Sequence, residues 1–260
     1  MTQQGDSKYI LQTVKNAARI LNLFTVERNE WRLTEISREL DLEISHTRRL
    51  INTLVQENLL KKKEKKYSLG LSILNMSGLV KSQLNIHLEA RPILLPLVDQ
   101  FSKTIHLGIL DDIGVVYLDI LETSHPIRMS SQIGKPHPVY STSCGKIILS
   151  YQTEEILEEI LEKVEQQGII KSASKTVTDL DELRSQLKEI RRTGYAVTCD
   201  ELEEGITSIG APIYNYNGEV IAAAAITGSS KELGGNQKDL YISSIVKAAK
   251  EISKKIGFDY

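Results

Sequence analysis

The apolar residues Ile10, Leu11, Val14, Ala17, Ala18, Leu21 and Phe24 recur at spacings of three and four, which predicts an amphipathic helix over residues 10–24. The polar break Glu27-Arg28-Asn29-Glu30 separates it from a short second helix, read as capped by Thr34 and ending at Leu40. Glu35 in its first turn suits the positive end of the helix dipole. Asp41-Leu42-Glu43-Ile44 reads as a turn, and Ser45 as the cap of a third helix that runs to about Asn58. Leu59-Leu60, the run Lys61-Lys62-Lys63-Glu64-Lys65-Lys66 and Tyr67-Ser68-Leu69 then read as a β-hairpin.

On the third helix Thr47, Leu50, Ile51, Leu54 and Val55 share one face, leaving His46, Arg48, Arg49, Asn52, Thr53 and Gln56 on the other. Taken alone, such a face is what any solvated helix presents. A short helix and tight turn before it and a lysine-rich hairpin after it change the reading to a winged helix-turn-helix. Arginine pairs bidentately with guanine, asparagine and glutamine pair with adenine, and helix starts such as those at Thr34 and Ser45 favour phosphate. Lys62, Lys63, Lys65 and Lys66 would lie against phosphates beside that helix. The expected partner is double-stranded DNA.

From Gly70 to about His87 there is no proline, and Leu71, Leu74, Leu79, Leu84 and Leu88 fall at helix-compatible spacings, which predicts a linker helix. Arg91-Pro92 reads as the opening of a further apolar helix through Leu94, Leu95, Leu97, Val98 and Phe101, with the proline in its first turn. The domain boundary is placed near residue 75. The expected divisions are a winged helix-turn-helix at 1–72, the linker helix at 73–89 and a second domain at 90–260. Leucines outside a core predict a homodimer or dimer of dimers, whose two-fold would set paired DNA helices about 34 Å apart, or a multiple, on a pseudo-palindromic site.

Beyond residue 105, His106-Leu107-Gly108-Ile109-Leu110 and Val115 to Leu121 read as strands around the turn Asp111-Asp112-Ile113-Gly114. Ile206 to Ile213 and Glu219 to Thr227 form a second pair around Asn217-Gly218. Helices are expected at about 144–151, 153–162 and 179–193, with Thr153 and Asp179 as caps, and a last one at 236–256. Hairpins at both ends with helices between indicate an α+β domain, not a doubly wound parallel sheet.

The length of 260 residues allows two cores, at roughly 100–200 residues each. No apolar run approaches the roughly 18 residues of a membrane span, and no signal peptide opens the sequence, so a cytoplasmic protein without a membrane partner is expected. The net charge of −2 divides unevenly. Residues 1–70 carry 13 Lys+Arg against 9 Asp+Glu, and residues 71–260 carry 19 against 25, a basic head on an acidic body.

Catalytic and metal chemistry find little support in the motifs. A P-loop around Gly145-Lys146 fails at Tyr140 and Ile147, and neither a G-x-S-x-G elbow nor an H-E-x-x-H zinc site occurs. Cys144 and Cys199 lack metal or disulfide spacing, and His46, His87, His106, His125 and His137 are scattered. The expectation is no enzyme, no metal and no cofactor. The carboxylates of Asp200-Glu201-Leu202-Glu203-Glu204 read mostly as a solvated loop before Gly205. By contrast, Ser141-Thr142-Ser143-Cys144-Gly145-Lys146 places small hydroxyls and free amides just before a helix start near Ser143 or Cys144, which suits an anionic ligand.

Residues 31–77, WRLTEISRELDLEISHTRRLINTLVQENLLKKKEKKYSLGLSILNMS, resemble the helix-turn-helix, wing and following Leu-Gly-x-x-x-Leu segment of the IclR family of prokaryotic regulators, and the resemblance extends over nearly the whole chain. It implies a transcription regulator in which Ser45 to Asn52, Thr47 included, enter the major groove. A GAF-like effector-binding domain would follow. Ser141 to Lys146 resembles the family motif H-A-[TS]-[AG]-x-G-K. The implied effector positions are Met129, Ser143, Cys144, Thr198, Ser208, Ala225 and Thr227, taking a small carboxylic or aromatic acid. The wing tip departs from the family in lacking an Asp-Gly turn. Thr198 and Ser208 stand where an acidic residue or cysteine is common, and Ala225 where serine is. Two rivals stay open, an enzyme with a GAF-like catalytic domain and a DNA-binding protein with a ligand-free dimerisation domain.

Overall fold

The computed structural model describes residues 10–83, 85–123 and 129–259, so Leu84 of the leucine series and His125 lie outside it. The chain divides into two compact units, Met1–Gln83 and Leu84–Tyr260. The division falls beyond residue 75 because the linker helix is tied back into the first unit: Gly70 N donates to Leu59 O at 2.8 Å and Ser72 Oγ to Asn58 O at 2.5 Å.

The first unit runs α1 (Gln12–Leu21), β1 (Trp31–Arg32), α2 (Leu33–Glu39), α3 (Ile44–Gln56), β2 (Leu60–Lys63), β3 (Lys66–Leu69) and α4 (Ser72–Gln83). Its antiparallel sheet has the order β1-β3-β2. The strand β1 was not expected, since two residues carry no alternation. Its pairing of Trp31 with Tyr67 and Arg32 with Lys66 holds Arg32 extended, so α2 begins at once at Leu33 and the cap position is Arg32, not Thr34. The Arg32 amide donates to Glu35 at 2.7 Å, satisfying one of the end groups that a helix start leaves over. Likewise α3 starts at Ile44 with Glu43 at the cap position. Ser45 is not the cap; its hydroxyl donates to the Glu43 carboxylate at 2.8 Å. Ile20, Trp31, Ile36, Leu40, Leu50, Ile51, Leu54, Leu60 and Tyr67 close the core.

The second unit runs α5 (Asn85–Phe101), β4 (Thr104–Asp111), β5 (Gly114–Leu121), β6 (Pro136–Pro138), α6 (Ser143–Ser150), α7 (Glu154–Gln167), α8 (Leu180–Thr193), β7 (Ala196–Cys199), β8 (Ile206–Tyr214), β9 (Val220–Ser229), α9 (Ser230–Leu233) and α10 (Lys238–Lys255). The α5 helix begins earlier than the prolines suggest. Pro92 and Pro96 both lie inside it, carried by an apolar stripe of Ile86, Ala90, Leu94 and Val98. The six strands form one antiparallel sheet in the order β6-β5-β4-β9-β8-β7.

Strand alternation splits the apolar side chains between two faces. Leu107, Ile209, Ala211, Ala224 and Ile226 pack with α5 and α10, while Val115, Tyr117, Ala223 and Ala225 pack with α6, α7 and α8. The caps of the middle helices are side chains at Thr142, Thr153 and Asp179, which accept from Gly145, Ile156 and Glu182 amides.

The start of α6 is packed so closely that a Cβ at Gly145 would stand 2.3 Å from Val139 O and 2.6 Å from Thr142 Oγ1. Backbone at that distance cannot yield without moving the helix. The Gly145→Ala variant is therefore expected to lose about 3 kcal/mol of stability in the C-terminal unit, by urea denaturation; a loss under about 0.5 kcal/mol would contradict this packing.

Candidate functional site

On α3 the buried stripe is Thr47, Leu50, Ile51 and Leu54, and Ser45, Arg48, Arg49, Asn52, Thr53 and Gln56 are exposed. Thr47 thus leaves the outward set. Its side chain is fully buried, with the hydroxyl donating to Glu43 O at 3.0 Å, because it lies one turn before Leu50 and Ile51 on the core side. His46 is half-buried, its Nε2 3.4 Å from Asn16 Nδ2 on α1, and this leaves its ring tethered to the unit. Thr34 is exposed in the first turn of α2.

The hairpin turn passes through Glu64 at φ 54°, a conformation that Asp-Gly turns usually supply through glycine. Lys62, Lys63 and Lys65 are exposed around it. Lys66 is also exposed, but its Nζ is 2.7 Å from Glu30 Oε2, so it is part-neutralised and holds the Glu30 carboxyl below its ordinary range. Lys62 Nζ lies 5.9 Å from the centre of the Tyr67 ring.

In the second unit a small cavity of about 30 Å³ opens at the ends of β4, β8 and β9 beside the start of α6. Met129, Ser143, Thr198, Ser208 and Thr227 line it, together with His106, Tyr117, Ser130, Ser131, Ser141, Thr142, Leu202, Glu203 and Ile206. Two expected positions do not. Cys144 follows Ser143 by 100° around α6 and turns into the core, its sulfur 3.7 Å from Ala223 O, and burial pushes its thiol up to about 12. Ala225 sits two residues inward from Thr227 on the same face and packs beneath α6 with Cys144 and Tyr117.

The polar lining is connected. Ser143 Oγ is 2.7 Å from Ser208 Oγ, Ser208 Oγ is 2.8 Å from Thr227 Oγ1, and Thr227 Oγ1 is 3.1 Å from His106 Nδ1. The other ring nitrogen, Nε2, is 3.1 Å from Ser131 Oγ. Burial, with His137 nearby as a smaller cause, lowers His106 to about 3, so this ring is neutral and relays hydrogen bonds without adding charge. Tyr117 packs between it and His137 in tilted ring contacts, with centroids at 4.5 and 5.2 Å, and burial raises its hydroxyl well above the ordinary range.

In the acidic loop only Glu201 is buried, while Asp200, Glu203 and Glu204 keep contact with solvent as expected and also hold partners elsewhere in the chain. Asp200 takes Lys175 at 3.0 Å and the Gly205 amide at 2.8 Å. Glu203 accepts from Ser130 N and Oγ at 3.1 and 3.2 Å, and Glu204 from Ser174. Glu201 is buried against the Lys146 ammonium, which also donates to Gln186 Oε1 at 2.6 Å. Burial pulls Lys146 below and pushes Glu201 above their ordinary values, and their mutual attraction opposes both shifts.

The missed lining residues His106 and Tyr117 read as strand core from sequence; only the meeting of β4 and β5 with α6 makes them walls. Among the described residues no group of three or more His, Cys, Asp or Glu could hold a metal ion, and no helix is long and apolar enough to cross a membrane.

Residues 13–64 match the family model for the IclR helix-turn-helix domain, and residues 79–254 that for the bacterial transcriptional regulator IclR C-terminal region. The chain belongs to the IclR family. It is a DNA-binding transcription regulator with a C-terminal effector-binding domain. Relatives include the HTH-type transcriptional regulator KdgR of Escherichia coli K12, 29% identical over 241 residues, covering 90% of this chain and 89% of KdgR. Another is KipR of Bacillus subtilis, 28% identical and covering 95% and 98%. Among solved structures, the Thermotoga maritima IclR superposes with a TM-score of 0.79 at 29% identity, covering 95% and 99%. An IclR homologue from Microbacterium hydrocarbonoxydans, complexed with 4-hydroxybenzoate, shares the fold with a TM-score of 0.82 at 23% identity, covering 94% and 98%.

Because an unfolded chain's histidine takes a proton near 6.5 while His106 waits until about 3, protons favour the unfolded state below pH 6.5, and this stability is lost progressively down to about pH 3. Between pH 7 and pH 5 the wild type is expected to lose about 2 kcal/mol more than His106→Gln, by urea denaturation at the two pH values. Equal losses would contradict a neutral, buried His106.

Proposed function

We propose that this regulator reads a pseudo-palindromic operator with Arg48, Arg49 and Asn52 of α3 in the major groove. Ser45, Thr34 and the lysines Lys62, Lys63 and Lys65 then lie against phosphates, with Lys66 a weaker contact because Glu30 already holds it. The observation that carries this reading is the exposed run of donors on one side of α3, set opposite a buried stripe that fixes its orientation. Two-fold pairing supplies the second half-site. Its support is the apolar surface at the starts of α1 and α4, where Val14 and Leu74, with Leu11 and Leu71 just before the two helices, are each more than 60% exposed.

The effector is a small carboxylic acid held in the cavity, its carboxylate at the α6 start where the Ser143 and Cys144 amides have no acceptor within the helix. The 4-hydroxybenzoate of the Microbacterium hydrocarbonoxydans homologue belongs to this class. Such a ligand changes DNA affinity only by the difference in its own affinity for the DNA-competent and incompetent arrangements, typically about 1–3 kcal/mol. The chain acts by binding and does no chemistry on its ligand, in keeping with relatives named as regulators.

Arg49→Ala is expected to weaken binding to the DNA upstream of the protein's own gene by about ten-fold or more in gel shifts at fixed salt. Lys63→Ala is expected instead to lower the salt slope by about one. Unchanged affinity of Arg49→Ala on DNA that the wild type retards would contradict the assignment of α3.

A further inference from the structure

A second cleft opens in the C-terminal unit between the β4–β5 turn, β6 and the end of α7. Its volume is about 430 Å³, within the range of small-molecule sites, and it shares no lining residue with the cavity at the α6 start. Ile113, Pro136, Pro138, Val164 and Ile170 supply apolar walls, and Ile170 is 68% exposed. The Tyr140 hydroxyl accepts from the Ile170 amide at 3.0 Å, which ties that wall to the unit. The charged lining has one sign, since Asp111 and Asp112 carry carboxylates and no lysine or arginine lines the cleft. Asp112 Oδ1 takes Lys163 Nζ at 3.1 Å, whereas the exposed Asp111 carboxylate has no ion pair among the described residues.

His137 forms the buried wall. It is 5% exposed, and its Nε2 has no hydrogen-bond partner among the described residues. The ring stands on the side of the sheet that faces α7, because it packs against Tyr117, which belongs to the core shared with α6, α7 and α8. Burial, with Lys135 as a smaller cause, lowers its proton affinity, so the ring is neutral and one of its nitrogens is a bare acceptor.

These features select charge and shape together. An anion would meet two carboxylates and no lining cation, and a neutral apolar molecule would strip water from Asp111 and give nothing back. A metal ion does not fit, because among the described residues no group of three or more His, Cys, Asp or Glu comes together to hold one. An ammonium group has donors only, which matches a lining of carboxylates and a bare imidazole nitrogen, and a carbon body behind it covers the prolines and Ile170.

We infer that this cleft is a second ligand site, separate from the effector cavity, for a small organic amine whose ammonium sits against Asp111 and whose apolar body lies along Pro136, Pro138 and Ile170, with His137 as the buried acceptor. The site borders the other cavity through rings in contact. Tyr117, a wall of that cavity, stands between His137 and His106, with centroids at 5.2 and 4.5 Å.

The test is calorimetric titration of the full-length protein with 2-phenylethylamine and hexylamine, set beside 3-phenylpropionate, hexanoate, spermidine and calcium chloride. At least one of the two amines is expected to bind saturably, with an affinity that falls about ten-fold or more in Asp111→Asn and about five-fold in His137→Phe, each checked for native circular dichroism. Asp111 is exposed, so Asp111→Asn decides the matter if His137→Phe does not fold. Amine binding equal in wild type and Asp111→Asn overturns the site, and a loss in Glu203→Gln in its place would move the amine to the other cavity and overturn it too. Acids that bind as tightly as the amines and compete with them overturn the ammonium class. Spermidine or calcium ions binding about ten-fold more tightly than both amines overturn the apolar body. Saturable heat from neither amine overturns the inference outright and leaves the reading of the α6 cavity untouched.

Discussion

An ammonium group sealed inside the C-terminal unit makes demands on everything around it. Lys146 is 1% exposed, and a charge so placed persists only with full partnership, here the Glu201 carboxylate and the Gln186 amide oxygen. Lys146 and its two partners come from three places. Lys146 belongs to α6, whose first turn carries Ser143; Gln186 belongs to α8; Glu201 belongs to the loop that carries Leu202 and Glu203. Thr176 extends the tie, its hydroxyl donating to Glu201 O at 2.6 Å. The pair thereby ties the α6 start on one side of the cavity to the loop carrying Leu202 and Glu203 on the other. Against hydrophobic replacement such pairs contribute little to stability, so the value of this one lies in position.

The two units divide the electrostatic work. The first carries outward cations on a rigid helix whose inward face is committed to Leu50, Ile51 and Leu54, so the arginines have one orientation. The second pairs several of its cations, Lys146 with Glu201, Lys175 with Asp200 and Arg184 with Glu158, and its neutral His106 keeps the cavity chain free of added charge. A net charge of −2 for the whole chain conceals this arrangement.

Local patterns made the first unit legible. The three-and-four spacing from Ile10 onward, the donor face of α3 and the lysine hairpin are all short-range features, as are the caps at Thr153 and Asp179. What sequence did not disclose depends on long-range pairing. The β1 strand exists only because Trp31 meets Tyr67, and that pairing moves the start of α2 off Thr34. Glu201 read as solvated because its partner lies at 146. Much of the cavity was legible, Ser141 to Ser143 through the helix start and Met129, Thr198, Ser208 and Thr227 through the family resemblance. Two further walls, His106 and Tyr117, were hidden inside strands that read as core, and Cys144 and Ala225 were assigned to the cavity because the turn of α6 and the depth along β9 are not visible in sequence.

The Lys146–Glu201 pair holds the loop at the cavity rim in place. Hydrogen–deuterium exchange of the full-length protein carrying Lys146→Met tests it directly, at the amides of Asp200, Gly205 and Ser230, which are bonded to Ile206 O, Asp200 Oδ1 and Gly205 O in the native loop. Exchange there is expected to rise about ten-fold or more while the amides of α3 are unchanged, since breaking a buried pair costs about 3–5 kcal/mol locally. Native protection at all three loop amides in the variant would contradict the account.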